Sequence, residues 1–80
     1  MKAKKAFLEV TSICYEEDEF TELHKEILSI ENGIQPGNDE EEYIRAVGEV
    51  LDAICTFAPD FNQEKYYHIE EIYGEISEQN

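Results

Sequence analysis

Twenty Asp and Glu side chains share this chain of 80 residues with only six Lys and Arg, a formal net charge of −14. Lys2, Lys4 and Lys5 stand at the extreme N-terminus. From Ala6 onward all twenty acids face only Lys25, Arg45 and Lys65, a balance of −17. Repulsion of that size opposes a compact state. Any fold open to the chain must keep its carboxylates in water and gather its apolar side chains on narrow faces. With 41% hydrophobic residues and nine aromatics it is too apolar for a disordered acidic tail. Residues 1–80 make one domain, large enough to bury only roughly 60–65% of its unfolded surface. A catalytic cleft between two lobes does not fit in it.

The apolar spacing is helical. Over 39–57, Ile44, Val47, Leu51, Ile54 and Ala58 recur at intervals of three and four, with Tyr43, Val50 and Phe57 broadening the stripe. Asn38 is a suitable N-cap, and Asp39 to Glu42 place four acids where the helix dipole favours them. Pro59 stops the helix, and Gly48 is an internal weak point that would admit a close neighbour. A second helix is expected over 19–31, with Phe20, Leu23, Ile27 and Ile30 on one face and Asn32-Gly33 as its stop. A third is expected over 62–77, where Tyr66, Ile69, Tyr73 and Ile76 share a face with Ile72 beside it. Residues 3–15 are ambiguous. Ala6, Val10 and Ile13 fit a helix that could run on across Tyr15–Glu19, yet alternation around Leu8, Val10, Ser12 and Cys14 also fits a strand. The expected fold is a small all-α bundle of three or four helices with a strongly acidic surface. The alternative is an α+β fold with an N-terminal strand at about 6–14.

Cys14 and Cys55 form no C-x-x-C pair and read as two buried thiols of a cytoplasmic protein, with a single bridge between them left open. The lysines before Ala6-Phe7-Leu8 imitate a signal peptide, but Glu9 interrupts the apolar stretch and Ile13 precedes Cys14, so export is not expected. No segment has the length of a membrane span.

Chemical motifs fail on inspection. Asp60, Asn62, Glu64, Tyr66, His68 and Glu71 have EF-hand ligand spacing, but Lys65 stands where that loop needs Gly. Neither His24 nor His68 has the Glu three residues earlier that a di-iron bundle uses. Ser29 lacks the preceding Asp of an acyl carrier protein's modified serine. No nucleophile with its base and no phosphate-cradling Gly loop is present, so neither a catalytic residue, a metal nor a cofactor is expected. Direct nucleic-acid binding is excluded by the lack of a basic patch. What remains is the acids. In rows at helical pitch they can occupy sites that a basic protein keeps for phosphates; the plainer meaning of such runs is solubility.

One family resemblance gives those acids a shape. The segment Tyr15-Glu-Glu-Asp-Glu-Phe20-Thr-Glu-Leu23-His-Lys-Glu-Ile27 resembles the first helix of the colicin and pyocin DNase immunity proteins, with the pattern Y-T-E-x-E-F-x-x-L-x-x-x-I. Asp39–Glu42 is similar to the Glu-rich start of that family's second helix, and Glu64-Lys-Tyr66-Tyr67 to its Tyr-Tyr segment. The likeness covers residues 15–67; His68 stands where the family has Pro, and Ile69–Ser77 replaces its final helix. It implies partner contact through Glu40, Tyr43, Ile44 and Val47, and through Glu64, Tyr66 and Tyr67.

The expected function is therefore that of a non-enzymatic inhibitor on the basic, nucleic-acid-binding face of a target protein such as a nuclease. It would be an immunity protein or a phage-type nucleic-acid mimic. The expected contact residues are Glu40, Glu41, Tyr43, Glu64, Tyr67, Glu70, Glu71 and Glu75. The competing expectation is a small helical adaptor or homodimer whose acids are a solvating coat.

Overall fold

The computed structural model describes residues 2–35 and 40–78. It is an all-α bundle of four helices: α1 Lys2–Tyr15, α2 Thr21–Asn32, α3 Glu40–Phe57 and α4 Gln63–Glu78. The described residues contain no strand. Asn38, Asp39 and the Pro36-Gly37 pair, expected to lead into α3, lie outside the described residues, as do Gln79 and Asn80.

The strand alternative fails at α1. Ala3, Phe7, Val10 and Cys14 are buried at intervals of three and four, while Leu8 and Ser12, which alternation would send inward with Val10, are exposed. Ala6 and Ile13, expected on this face with Val10, flank it half-buried. α1 does not run on into α2. It closes in turns in which Glu17 N–H donates to Cys14 O at 3.1 Å and Phe20 N–H to Glu17 O at 3.3 Å. His24 then reaches back, with its Nε2 3.0 Å from the Cys14 carbonyl, one of the acceptors that a helix end leaves without an intrahelical partner.

α3 is the central element. It packs on α1, α2 and α4, and α1 touches the other three as well, whereas α2 and α4 do not meet. Val47, Val50 and Ile54 form the seam of α3, with Ala46 and Ala53 giving close approach on one side and Leu51 on the other. This corrects the expected stripe: Ile44 and Tyr43 are only half-buried at its margins, and Phe57 is 42% exposed. α2 contributes Leu23, Ile27 and Ile30, and α4 contributes Ile69, Ile72 and Ile76. Phe20 and Phe61, 5.8 Å apart, close the end of the bundle where the α1–α2 and α3–α4 turns meet.

The helix ends are written locally. Asn62 caps α4 by accepting from Lys65 N–H at 3.0 Å. α2 ends at Asn32, where Gly33 N–H is shared between the Ser29 and Ile30 carbonyls at 3.1 Å each. α1 borrows its N-terminal acceptor from another helix: Ala3 N–H donates to Glu40 Oε2 at 3.2 Å. Among the described residues no Asp or Glu is buried, and no buried side-chain nitrogen or oxygen lacks a partner. The radius of gyration is 11.8 Å, close to the roughly 12 Å of a compact chain this long.

Candidate partner-binding face

α4 lies at a flank of the bundle, so its far side faces solvent. Ile69, Ile72 and Ile76 fix the buried stripe, and the helical period then carries Glu64, Tyr67, Glu71, Glu75 and Glu78 onto the opposite face. All five are exposed, and Tyr67 is 54% accessible. Its ring stands edge-on to Tyr66, centroids 6.4 Å apart, which limits its freedom without covering it. The result is an amphipathic tyrosine in a row of carboxylates.

Among the described residues no ion pair reaches these acids. Lys25 pairs with Glu22 at 3.6 Å and Arg45 with Glu42 at 3.6 Å, each within one helix. Lys65 Nζ lies 3.7 Å from Glu16 and 3.8 Å from Glu17, pinning the start of α4 to the α1–α2 turn. The cations beyond residue 5 are thus committed elsewhere, and none of these pairs reaches Glu64, Glu71 or Glu75.

The expected contact residues divide. Glu64, Tyr67, Glu71 and Glu75 come together on the outer face of α4. Glu70 and Glu41 stand beside it, both lining a groove between α4 and α3. Glu40 and Tyr43 do not join them. Glu40 is half-buried with one carboxylate oxygen on Ala3 N–H, and the Tyr43 ring packs 5.8 Å from that of Phe7. Both hold α1 to α3. Val47, a contact residue by resemblance, is fully buried, and Ile44 is half-buried in the wall of the α3–α4 groove. That groove escaped the sequence reading because Tyr66 and Tyr73 both fit the core face. In the structure both are half-buried and line it.

The cysteines also divide. Both are free, but Cys14 is buried and Cys55 exposed, so the expectation of two buried thiols holds only for Cys14. Burial first, and the Glu17 carboxylate second, push the Cys14 thiol up to about 12. Cys55 Sγ lies 3.3 Å from Tyr66 Oη, and this hydrogen bond, ahead of burial, raises the Tyr66 hydroxyl to about 12. Burial, then a 3.0 Å hydrogen bond to Glu31, does the same for Tyr15.

The residues with EF-hand spacing lie mostly on α4, a continuous helix from Gln63 that cannot form a calcium loop. Among the described residues no cluster of three or more His, Cys, Asp or Glu is placed to hold a metal ion. No helix among them is long and apolar enough to cross a membrane. No family model, curated protein or solved structure matches this chain.

Proposed function

We propose that this protein is a non-enzymatic, cytoplasmic inhibitor that docks the outer face of α4 on the basic, nucleic-acid-binding surface of a target protein. One observation carries the reading: exposed Tyr67 stands among Glu64, Glu71 and Glu75, which no ion pair among the described residues reaches. Carboxylates at helical pitch meet a surface built for phosphates, and long-range attraction speeds encounter. Tyr67 supplies what charge does not, an anchor whose ring can be desolvated while its hydroxyl keeps a partner. The target is a nuclease or another protein that binds nucleic acid. The biological setting is either toxin immunity, in line with the resemblance of residues 15–67, or a phage-type block of a host defence.

The test is capture from host lysate on the tagged chain, washed at low and then high salt and challenged with DNA or RNA. The expected result is a nucleic-acid-binding protein retained at low salt, displaced by nucleic acid, and lost by a triple variant Glu64→Gln, Glu71→Gln, Glu75→Gln. Retention that ignores salt, nucleic acid and these three charges would overturn the reading.

A second reading draws on the other side of the bundle, where Leu8 of α1 and Leu28 of α2 are each about half exposed. A helical adaptor or homodimer would use them, with the acids as a coat. It predicts association indifferent to salt and abolished by Leu28→Glu.

A further inference from the structure

α3 and α4 are antiparallel, since Gly48 faces Tyr73 while Cys55 faces Tyr66. Between them runs an open groove of about 860 Å³. At about 1.5 Å per helical residue, the stretch of α3 from Glu41 to Asp52 gives it a length of about 16 Å, three helical turns. Its floor is apolar and aromatic, formed by Ile44, Leu51, Tyr66 and Tyr73 with Gly48 under Tyr73, and Gly74 lines its α4 edge. A Cβ on Gly48 would lie 3.3 Å from Tyr73 Oη, so its absence lets the tyrosine approach α3 closely. A Cβ on Gly74 would meet nothing within 4 Å, so the space above α4 is empty at that point. The rim carries Glu49, Asp52 and Glu70, and the cation that lines it, Arg45, is already 3.6 Å from Glu42.

We propose that this groove seats one amphipathic helix of a basic partner protein, with its aliphatic face on the Tyr66–Tyr73 floor beside Gly74 and its Lys and Arg side chains against the rim carboxylates of Glu49, Asp52 and Glu70. The inference rests on the preceding reading in taking the partner to be basic, and adds which element of the partner docks and where. Charge complementarity selects cationic flanks. The floor selects a helix over an extended strand: α3 and α4 consume their own backbone donors and acceptors, so an extended chain laid there would bury unpaired amides, whereas a helix brings its own bonds.

The experiment is a titration of the isotope-labelled full chain, followed by NMR, with two synthetic peptides of equal charge. One is an amphipathic Leu/Lys helix of about 14 residues, and the other a Gly/Lys peptide with no apolar face. The expected result is that the Leu/Lys peptide shifts the amides of Gly48, Tyr73 and Gly74 most, while the Gly/Lys peptide spreads small shifts over all acidic segments. Gly74→Leu puts a side chain where an added Cβ meets nothing within 4 Å, and its melting temperature checks that it folds. It should weaken the Leu/Lys peptide about tenfold or more and leave the Gly/Lys peptide unchanged. Equal affinity of the Leu/Lys peptide for both forms, or shifts spread evenly over the acids, would overturn the proposal, as would a homodimer that Gly74→Leu dissolves. The two readings fail separately. A lysate partner competed by nucleic acid and held equally by Gly74→Leu sinks the groove alone. Peptide seated in the groove, with no such partner in lysate, sinks the inhibitor alone.

Discussion

Two glycines on facing helices do opposite things, and a single methyl group tells them apart. Replacing a helical Gly by Ala gains about 1 kcal/mol from backbone propensity. At Gly74 that gain is unopposed, because the added Cβ enters open space. At Gly48 the Cβ meets the Tyr73 hydroxyl at 3.3 Å and the ring at 3.4 Å, so the ring must give way. Urea unfolding should therefore show Gly74→Ala stabilised by about 1 kcal/mol and Gly48→Ala stabilised less or not at all; equal gains would contradict the close packing. The thiols offer a second contrast. Cys55 should react with an aromatic disulfide reagent in the native state and Cys14 only on unfolding, since one is exposed and the other buried. Cys14 also links to pH. Its thiol is raised from 9.0 to about 12, so the stability gained by keeping it neutral is whole below about 9 and is lost as pH rises toward 12. Tyr15 and Tyr66, raised from 10.0 to about 12, add to that loss from about 10 upward. Cys14→Ala should flatten the fall between about 9 and 10 and leave the tyrosine part. An unaltered alkaline profile would remove Cys14 as its source.

At the level of elements, most of the fold was legible in the sequence. Pro59, Asn32-Gly33 and the three-and-four spacing of isoleucines placed α2, α3 and α4 within a residue or two. α1 was ambiguous because its buried set mixes Ala3, Thr11 and Cys14 with Phe7 and Val10, a weak apolar signal that alternation matches locally. The candidate site was half legible. The acidic run of α4 and the position of Tyr67 off the core face picked out Glu64, Tyr67, Glu71 and Glu75, and the helix carries all four to its solvent side. Glu40 and Tyr43 were misplaced because their work is between helices, which spacing within one helix cannot show. Glu40→Ala should loosen the first turn of α1 by about 1 kcal/mol, read as faster amide exchange there. Val47→Ala separates packing from contact: the residue is fully buried, so it should cost about 2 kcal/mol of stability and leave partner affinity per folded molecule unchanged. A loss of affinity with full stability would return Val47 to the interface that the immunity-protein resemblance implies.

For the whole molecule, the governing quantity is the uncompensated charge. A bundle of this size holds together against −14 because no described carboxylate is buried, and water and salt screen them all. Its melting temperature should therefore rise as ionic strength goes from about 20 mM to about 500 mM, the reverse of a fold stabilised by surface ion pairs. Association with a basic target has the opposite dependence, because the same screening removes the attraction that steers the encounter. Charge then governs how fast the complex forms, and Tyr67 with its surroundings governs how long it lasts. The most direct measurement is the association rate with the captured target across that salt range. A fall of about tenfold or more, with dissociation changing far less, is the predicted result. A tight complex whose association rate is flat across the range would contradict the account and leave the acids as a solvating coat.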